Sequence, residues 1–400
     1  MAAPERKTVL VLGTHNRQVF GIIGSLHRAG YRVLLGRGGA PGLAEKSCFT
    51  AEVWPHAPIA DGDEQFLEQL RRLAADRNDL GYIFPTDEPE AAFLAKNDAV
   101  LPQGITLVSP QSGAVLTCQD KSAATALATE LGIPLAPYHV VENPREIAEA
   151  AAAIGIPFIV RPTRPLGRIH GRKAFICWEE SQFDAFFSSW PKGHRDLVVQ
   201  KYIRGHRTNI TFVARDGDVI CALQQDTVRT NMADGTGLGC ETLTVALDPD
   251  LMAHLERLTG HLGYSGVGLL QFMVAEDGSD ISFLELNPRF GGGSALPYFM
   301  GIDFPRIAIA VAAGRALEPG DEGFDYPVGR MVSSIHLDLS GLVAAIRYRE
   351  IGLLDAARWF GRAVATFARA DADAIWSRRD PMPALYALTL PLRRRRSARS

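Results

Sequence analysis

The chain has 400 residues, of which 46% are apolar and 22% charged, ordinary values for a globular protein and enough for two or three packed domains. Its formal net charge is only −3, so no global electrostatic pull toward nucleic acid exists and none is expected as a partner. The five cysteines are scattered without a C-x-x-C pair, which argues against a zinc site or a disulfide framework and suits a reducing compartment.

The start of the chain is polar and runs into an apolar segment at Thr8, unlike a signal peptide. No run of eighteen apolar residues marks a transmembrane helix, and the expected location is the cytoplasm. Thr8-Val9-Leu10-Val11-Leu12 reads as a buried parallel strand ending at Gly13. Val19, Ile22, Ile23, Leu26 and Ala29 then share one face of a helix that Gly30 closes, and residues 31–35 form the next strand. This β-α-β unit opens an α/β sheet. Its loop is not G-x-G-x-x-G, and no acidic residue follows the second strand, so a nicotinamide-dependent oxidoreductase is a poorly supported rival. The strand 80–84 ends in Pro85-Thr86-Asp87-Glu88, at the position where α/β sheets bind ligands. The acidic pair also fits the first turn of a helix, where the dipole stabilises it.

From about Ser109 the character changes. An alanine-rich helix begins at Asp120-Lys121 and ends at Gly132, and a second helix covers 144–154. Residues 157–162 and 197–205 read as strands. Two more, 268–275 and 280–286, flank Glu276-Asp277-Gly278-Ser279, a hairpin signal. Folded about Gly278, the hairpin sets Gln271 opposite Glu285. Period two then gathers Gln271, Glu285 and Asn287 on one face and Leu270, Phe272, Val274, Leu284 and Leu286 on the core face. Three oxygen-bearing side chains with room for water and phosphate suit Mg²⁺. The competing reading is a polar solvent face, which leaves the run from Pro288 through Gly291-Gly292-Gly293 without a purpose.

Glu285-Leu286-Asn287-Pro288-Arg289 is an E-x-N-P-R signature, and residues 8–315 resemble the ATP-grasp superfamily, nearest its carbamoyl-phosphate-synthetase-like and predicted carboligase branches. The resemblance implies ATP with two Mg²⁺ (or Mn²⁺) ions held by Gln271, Glu285 and Asn287. It sets Lys121 and Arg161 on the phosphates, with Arg161 where Lys is usual, and Lys173 at the far end of a phosphate-covering loop, 163–173. It makes Gln200, Lys201, Tyr202 and Ile203 the hinge whose backbone pairs with adenine. Arg289 would stabilise the transferring phosphoryl group. Gly291, Gly292, Gly293 and Ser294 would offer bare N–H groups to a carboxylate or acyl phosphate. Some positions depart from the pattern. The covering loop is stiffened by Pro165, Gln200 replaces an acidic hinge residue, and Arg207 stands where relatives hold the ribose with a Glu.

The implied fold is α/β. An N-terminal open parallel α/β (pre-ATP-grasp) domain, 1–112, precedes an ATP-grasp domain, 113–318, of two α+β subdomains (113–193 and 194–318). A mainly helical extension, 319–400, follows. There Leu342, Ile346, Leu353, Leu354, Trp359, Phe360, Val364 and Phe367 are expected to form an apolar helical face that by default docks on the core, the alternatives being a contact with another subunit or with a membrane surface. The tail Arg393-Arg394-Arg395-Arg396 reads as a solvated terminus, or as a weak contact with a membrane surface. The implied activity is ligation of a small-molecule carboxylate to an amine or similar nucleophile at the expense of ATP. A phosphotransferase or ATP-binding regulator is the alternative, and relatives of this type are often homodimers.

Overall fold

A computed structural model of the chain describes residues 7–13, 17–59, 64–163, 169, 174–182, 190, 194–292 and 300–387. Lys173, Gly293, Ser294 and the arginine tail lie outside the described residues.

The first sheet is parallel, with strands β1 (Thr8–Leu12), β2 (Arg32–Arg37), β3 (Glu52–Pro55), β4 (Leu80–Phe84) and β5 (Thr106–Leu107) in the order β3-β2-β1-β4-β5. Every residue of β1 is buried because both faces are covered. Val9 and Val11 pack toward the helix Gln18–Arg28, and Leu10 and Leu12 toward Phe66 and Leu70 on the opposite side. The chain turns to β2 on one side of β1 and to β4 on the other, so the carboxyl ends of β1 and β4 form a switch-point crevice. There Thr86 donates from Oγ1 to the Leu12 carbonyl (2.6 Å), and Gln18 donates from Nε2 to the Thr86 carbonyl (2.7 Å).

A four-stranded antiparallel sheet follows, with β6 (Tyr138–Val141), β7 (Phe158–Pro162), β8 (Phe175–Cys177) and β9 (Leu197–Lys201) in the order β6-β9-β7-β8. Helix Pro144–Ile154 covers one face, held by Ile147 against Phe158, Val160, Leu197 and Val199. The third sheet has seven strands: β10 (Gly205–Arg215), β11 (Asp218–Thr230), β12 (Gly239–Thr244), β13 (Gly266–Ala275), β14 (Ile281–Asn287), β15 (Met331–Ser333) and β16 (Ala372–Asp373). Its order is β14-β13-β10-β11-β12-β15-β16. Ile210, Phe212, Leu270 and Phe272 face Leu251, Leu255 and Leu258 of helix Pro249–Leu262.

The hairpin pairs Gln271 with Glu285 as its alternation requires, but the next pair is Phe272 with Phe283. Leu284 is therefore an extra, bulged residue. Phe283 takes the core place expected of Leu284, and Leu284 turns toward the cavity described below.

The C-terminal region departs from the expected pattern. Besides helices Ile335–Arg347 and Leu353–Arg369 it supplies β15 and β16, which complete the seven-stranded sheet. Leu342 is buried, but Ile346, Leu353, Leu354, Phe360 and Val364 face outward. The second helix docks instead through Ala356, Ala363 and Thr366, with Trp359 Nε1 donating to Asp338 (2.6 Å) and Thr366 to Glu241 (3.0 Å). Small residues and a buried polar network do the docking, which an apolar-face argument does not anticipate. No helix of the described residues is long and apolar enough to cross a membrane.

Gly205, where β10 begins, lies so close to β13 that an added Cβ would stand 1.8 Å from the Val274 carbonyl oxygen. Backbone cannot yield as a side chain can, so Gly205→Ala is expected to splay β10 from β13 and to cost about 1–3 kcal/mol. A lowered thermal unfolding midpoint is the expected readout; an unchanged midpoint would contradict this packing.

Candidate active site

The three sheets enclose one cavity of about 680 Å³. Every described residue of the motif set lines it: Lys121, Arg161, Gln200, Lys201, Tyr202, Ile203, Gln271, Glu285, Asn287, Arg289, Gly291 and Gly292.

Lys121 opens the helix Lys121–Glu130, whose first turn is fixed by Asp120 accepting from the Ser122 and Ala123 N–H groups (2.9 and 3.0 Å). Its Nζ lies 3.5 Å from the Pro162 carbonyl, at the end of β7. Arg161, on β7, donates from Nη2 to Gln200 Oε1, while its buried Nε finds no partner. Gln200 in turn donates to the Ala136 carbonyl (3.3 Å). The glutamine in place of an acidic hinge residue thus holds Arg161 in position.

β9 ends at Lys201, earlier than the sequence indicates. The Lys201 N–H donates to Pro137 (2.9 Å) and the Tyr202 N–H to Pro157 (3.2 Å), whereas the Ile203 N–H has no partner among the described residues. Ile203 is buried, and Tyr202 meets Trp178 edge-on at 5.0 Å. The Lys201 side chain pairs outward with Asp280 (3.5 Å).

At the hairpin, Asn287 Nδ2 donates to Glu285 Oε1 (2.9 Å) and to Gln271 Oε1 (3.3 Å), so the three side chains meet at one point. Burial opposes ionisation of Glu285. The Asn287 hydrogen bond and the charges of Lys121, Arg289 and Arg161 outweigh it and hold the carboxyl below the usual carboxylate range. Among the described residues no three His, Cys, Asp or Glu side chains cluster as a self-sufficient metal cage. A hard divalent ion here would draw on one carboxylate, amide oxygens and oxygens of a bound phosphate, which suits Mg²⁺. Asn287 would have to turn its amide so that Oδ1 faces the ion.

Arg289 joins the hairpin to the first sheet. It pairs with Glu88 and donates to the Phe290 carbonyl (3.0 Å), leaving its buried Nε without a partner. Asp87 and Glu88 meet both expectations: they open the helix Glu88–Lys96 and they line the cavity. Gly291 and Gly292 are bare because of what packs on them. A Cβ would stand 2.3 Å from Leu269 Cδ2 at the first and 2.5 Å from Arg17 Nη2 at the second.

Arg17, Arg229 and the segment 232–239 also line the cavity, and none was singled out from the sequence. Gly235, Gly237 and Gly239 at every second position were a usable signal for that segment, as was the place of Arg17 directly after β1. Arg207, a misfit at the ribose position, faces the cavity from β10 beside Asn209, and its charge is felt by Glu285. Seven Lys or Arg residues against four Asp or Glu line the space, an excess of three positive charges in a chain of net charge −3.

This is a cation-rich cleft in which a partly buried carboxylate, Glu285, meets two amide side chains, the kind of site that suits a nucleoside phosphate. The family model for "Carbamoyl-phosphate synthase L chain, ATP binding domain" matches residues 120–319, half of the chain. The protein belongs to this ATP-grasp family. The arginine-specific carbamoyl phosphate synthase large chain of Geobacillus stearothermophilus is 24% identical over 221 residues, 54% of this chain and 20% of that protein. The chain thus spans about a fifth of the length of the curated relatives it matches. Among solved structures, an ADP complex of N5-carboxyaminoimidazole ribonucleotide synthetase superposes with a TM-score of 0.62 at 14% identity, covering 86% of this chain and 85% of that one. The biotin carboxylase domain of Hydrogenobacter thermophilus 2-oxoglutarate carboxylase, a dimer with MgADP and bicarbonate, gives 0.59 at 20% identity, covering 80% and 72%. At these identities the likeness establishes the fold.

Behind the cavity wall, burial, with a further push from Asp87, raises the Glu90 carboxyl to about 7, although its Oε2 accepts from the Asp87 N–H (2.8 Å). A carboxyl whose folded pKa is raised contributes stability that is complete below its unfolded pKa and lost as pH rises toward 7. Glu90→Gln keeps the acceptor and removes the titration. The variant is expected to gain on wild type from pH 5 to 8, by on the order of 3 kcal/mol at most. Parallel denaturation curves across that range would contradict the assignment.

Proposed function

We propose that the protein is an ATP- and Mg²⁺-dependent ligase that activates a small-molecule carboxylate and joins it to an amine or similar nucleophile. The observation that carries this reading is the convergence of Lys121, Arg161, Gln271, Glu285, Asn287 and Arg289, drawn from two sheets and a helix start, on one cavity with excess positive charge. The orphaned Nε atoms of Arg161 and Arg289 and the unpartnered Ile203 N–H support it, since each is a donor lacking an acceptor that a nucleotide could supply.

In this reading the adenine edge meets the backbone at Ile203, and Lys121 and Arg161 meet phosphate oxygens. Lys173, Gly293 and Ser294 keep the roles the family resemblance implies. Mg²⁺ (or Mn²⁺), held by Glu285 with Gln271 and Asn287, would neutralise charge on the phosphates during transfer. The carboxylate attacks the γ-phosphorus and ADP leaves. The amine nitrogen then attacks the acyl carbon, the C–O bond to phosphate breaks, and the nitrogen loses a proton. Arg289, already aimed by Glu88, is set to balance negative charge on the transferred group. We also place the boundaries of the N-terminal, ATP-grasp and C-terminal parts near residues 112 and 318, and read the active species as a homodimer.

Glu285→Gln is expected to lower MgATP turnover by at least ~100-fold while the circular dichroism spectrum stays that of wild type. Arg289→Ala should leave nucleotide affinity within a few-fold and reduce the rate of ADP formation. ADP release measured against pooled carboxylates and amines checks both. Full activity of Glu285→Gln would refute the metal assignment, and ADP release without a joined product would favour a phosphotransferase.

A further inference from the structure

Arg17, just before helix Gln18–Arg28, lines the cavity from the side of the first sheet. Arg17 leaves the loop after β1, at the switch-point crevice, and donates from Nη1 to the Gly239 carbonyl (2.6 Å) and to Ser334 Oγ (2.9 Å). Its guanidinium packs on the bare backbone of Gly292, where a Cβ would stand 2.5 Å from Nη2 and 3.0 Å from both Cζ and Nε. Both hydrogen-bonded partners are neutral. No carboxylate forms an ion pair with Arg17 among the described residues; Asp373 acts on it only through space, and burial lowers its pKa to about 10.

Arg207 is its electrostatic neighbour. That side chain is also desolvated, and it has no hydrogen-bond or ion-pair partner among the described residues. Arg17 lines the cavity with Lys121, Arg161 and Arg289, but its own contacts are to Gly239, Ser334 and Gly292. A desolvated guanidinium without a paired anion is unfavourable unless a ligand supplies one, and a second guanidinium acting on it raises that cost. A planar fork held by two hydrogen bonds and a glycine seat is organised for a bidentate anion.

We propose that Arg17 and Arg207 form a carboxylate subsite, holding a carboxylate that a substrate carries in addition to the group being activated. The inference rests on the ligase reading above. Two sources share this chemistry: the second carboxylate of a dicarboxylic acid, or the carboxylate of an amino acid acting as nucleophile.

The test compares wild type, Arg17→Gln and Arg17→Lys in MgATP-dependent ADP release and in thermal shift with MgADP present. The probes are amino acids paired with their decarboxylated amines, and dicarboxylic acids paired with their monomethyl esters. Wild type should prefer the carboxylate-bearing member of one pair type by about tenfold or more, the size expected of a charge-assisted contact. The pair type that responds identifies the source. Arg17→Gln should abolish that preference with the KM for ATP within about twofold of wild type, and Arg17→Lys should restore part of it. Should Arg17→Gln fail to fold, Gly292→Ala, which displaces the guanidinium from its seat, is expected to weaken the preference in the same way. A preference that survives loss of Arg17, absence of any preference in wild type that turns over ATP, or a rise in KM for ATP alone would overturn the proposal. Absence of MgATP binding by wild type would instead remove the ligase reading, and the subsite with it.

Discussion

Glu285 is a partly buried carboxylate that stays ionised, and the architecture is arranged around that fact. Desolvation works against its charge, and the Asn287 hydrogen bond and the nearby charges of Lys121, Arg289 and Arg161 outweigh it. Those groups come from the start of one helix, from β7 in the four-stranded sheet and from the segment after β14, so the cavity exists only when these pieces are assembled. The converse also holds. One carboxylate cannot neutralise so many cations, and like charges near 5 Å repel by about 3 kcal/mol at an effective dielectric of ~20. The protein tolerates this by spreading the cations over separate elements and by tying Arg289 to Glu88 and Arg229 to Asp338. The lining keeps an excess of positive charge that suits polyanions, and anion binding should stabilise the assembly.

Much of this was legible in the sequence because it depended on local periodicity. The pairing of Gln271 with Glu285 follows from alternation and the turn at Gly278, and the register is as read. The bulge at Leu284 was not legible, since one extra residue in a strand leaves no mark in a hydrophobic pattern. The helices read from Asp120-Lys121 and over 144–154 start where expected, and the structure adds their caps, Asp120 and Asn143, each accepting two N–H bonds of the first turn.

The missed residues share a physical cause. Arg17 is 222 positions from Gly239 and 317 from Ser334, so its contacts belong to tertiary assembly and no window of sequence displays them. Arg207 looked like a defect because it was judged against a ribose role. Its alternation with Thr208 on β10 places it on the face shared with Asn209 and Gln271, where its charge is useful. The C-terminal helices differ from the expected pattern for a related reason. The apolar stripe does not mark the inward face: Leu353 and Leu354 are exposed while Ala356, Ala363 and Thr366 face in.

That docking bears on the site. Asp338 is 2% exposed at its side chain and accepts from Arg229 on one side and from Trp359 Nε1 on the other, so helix Leu353–Arg369 is coupled to a cavity-lining arginine through one carboxylate. Ser334, just before helix Ile335–Arg347, accepts from Arg17. The last part of the chain thus fixes two of the cavity's cations, one carried by β11 and one by the loop after β1. A buried carboxylate of this kind adds little net stability when fully paired, but its partners lose their anchor if it is removed. The segment past the matched family region is in this sense part of the cavity wall, since Val332 and Ser334 line it and Asp338 anchors Arg229.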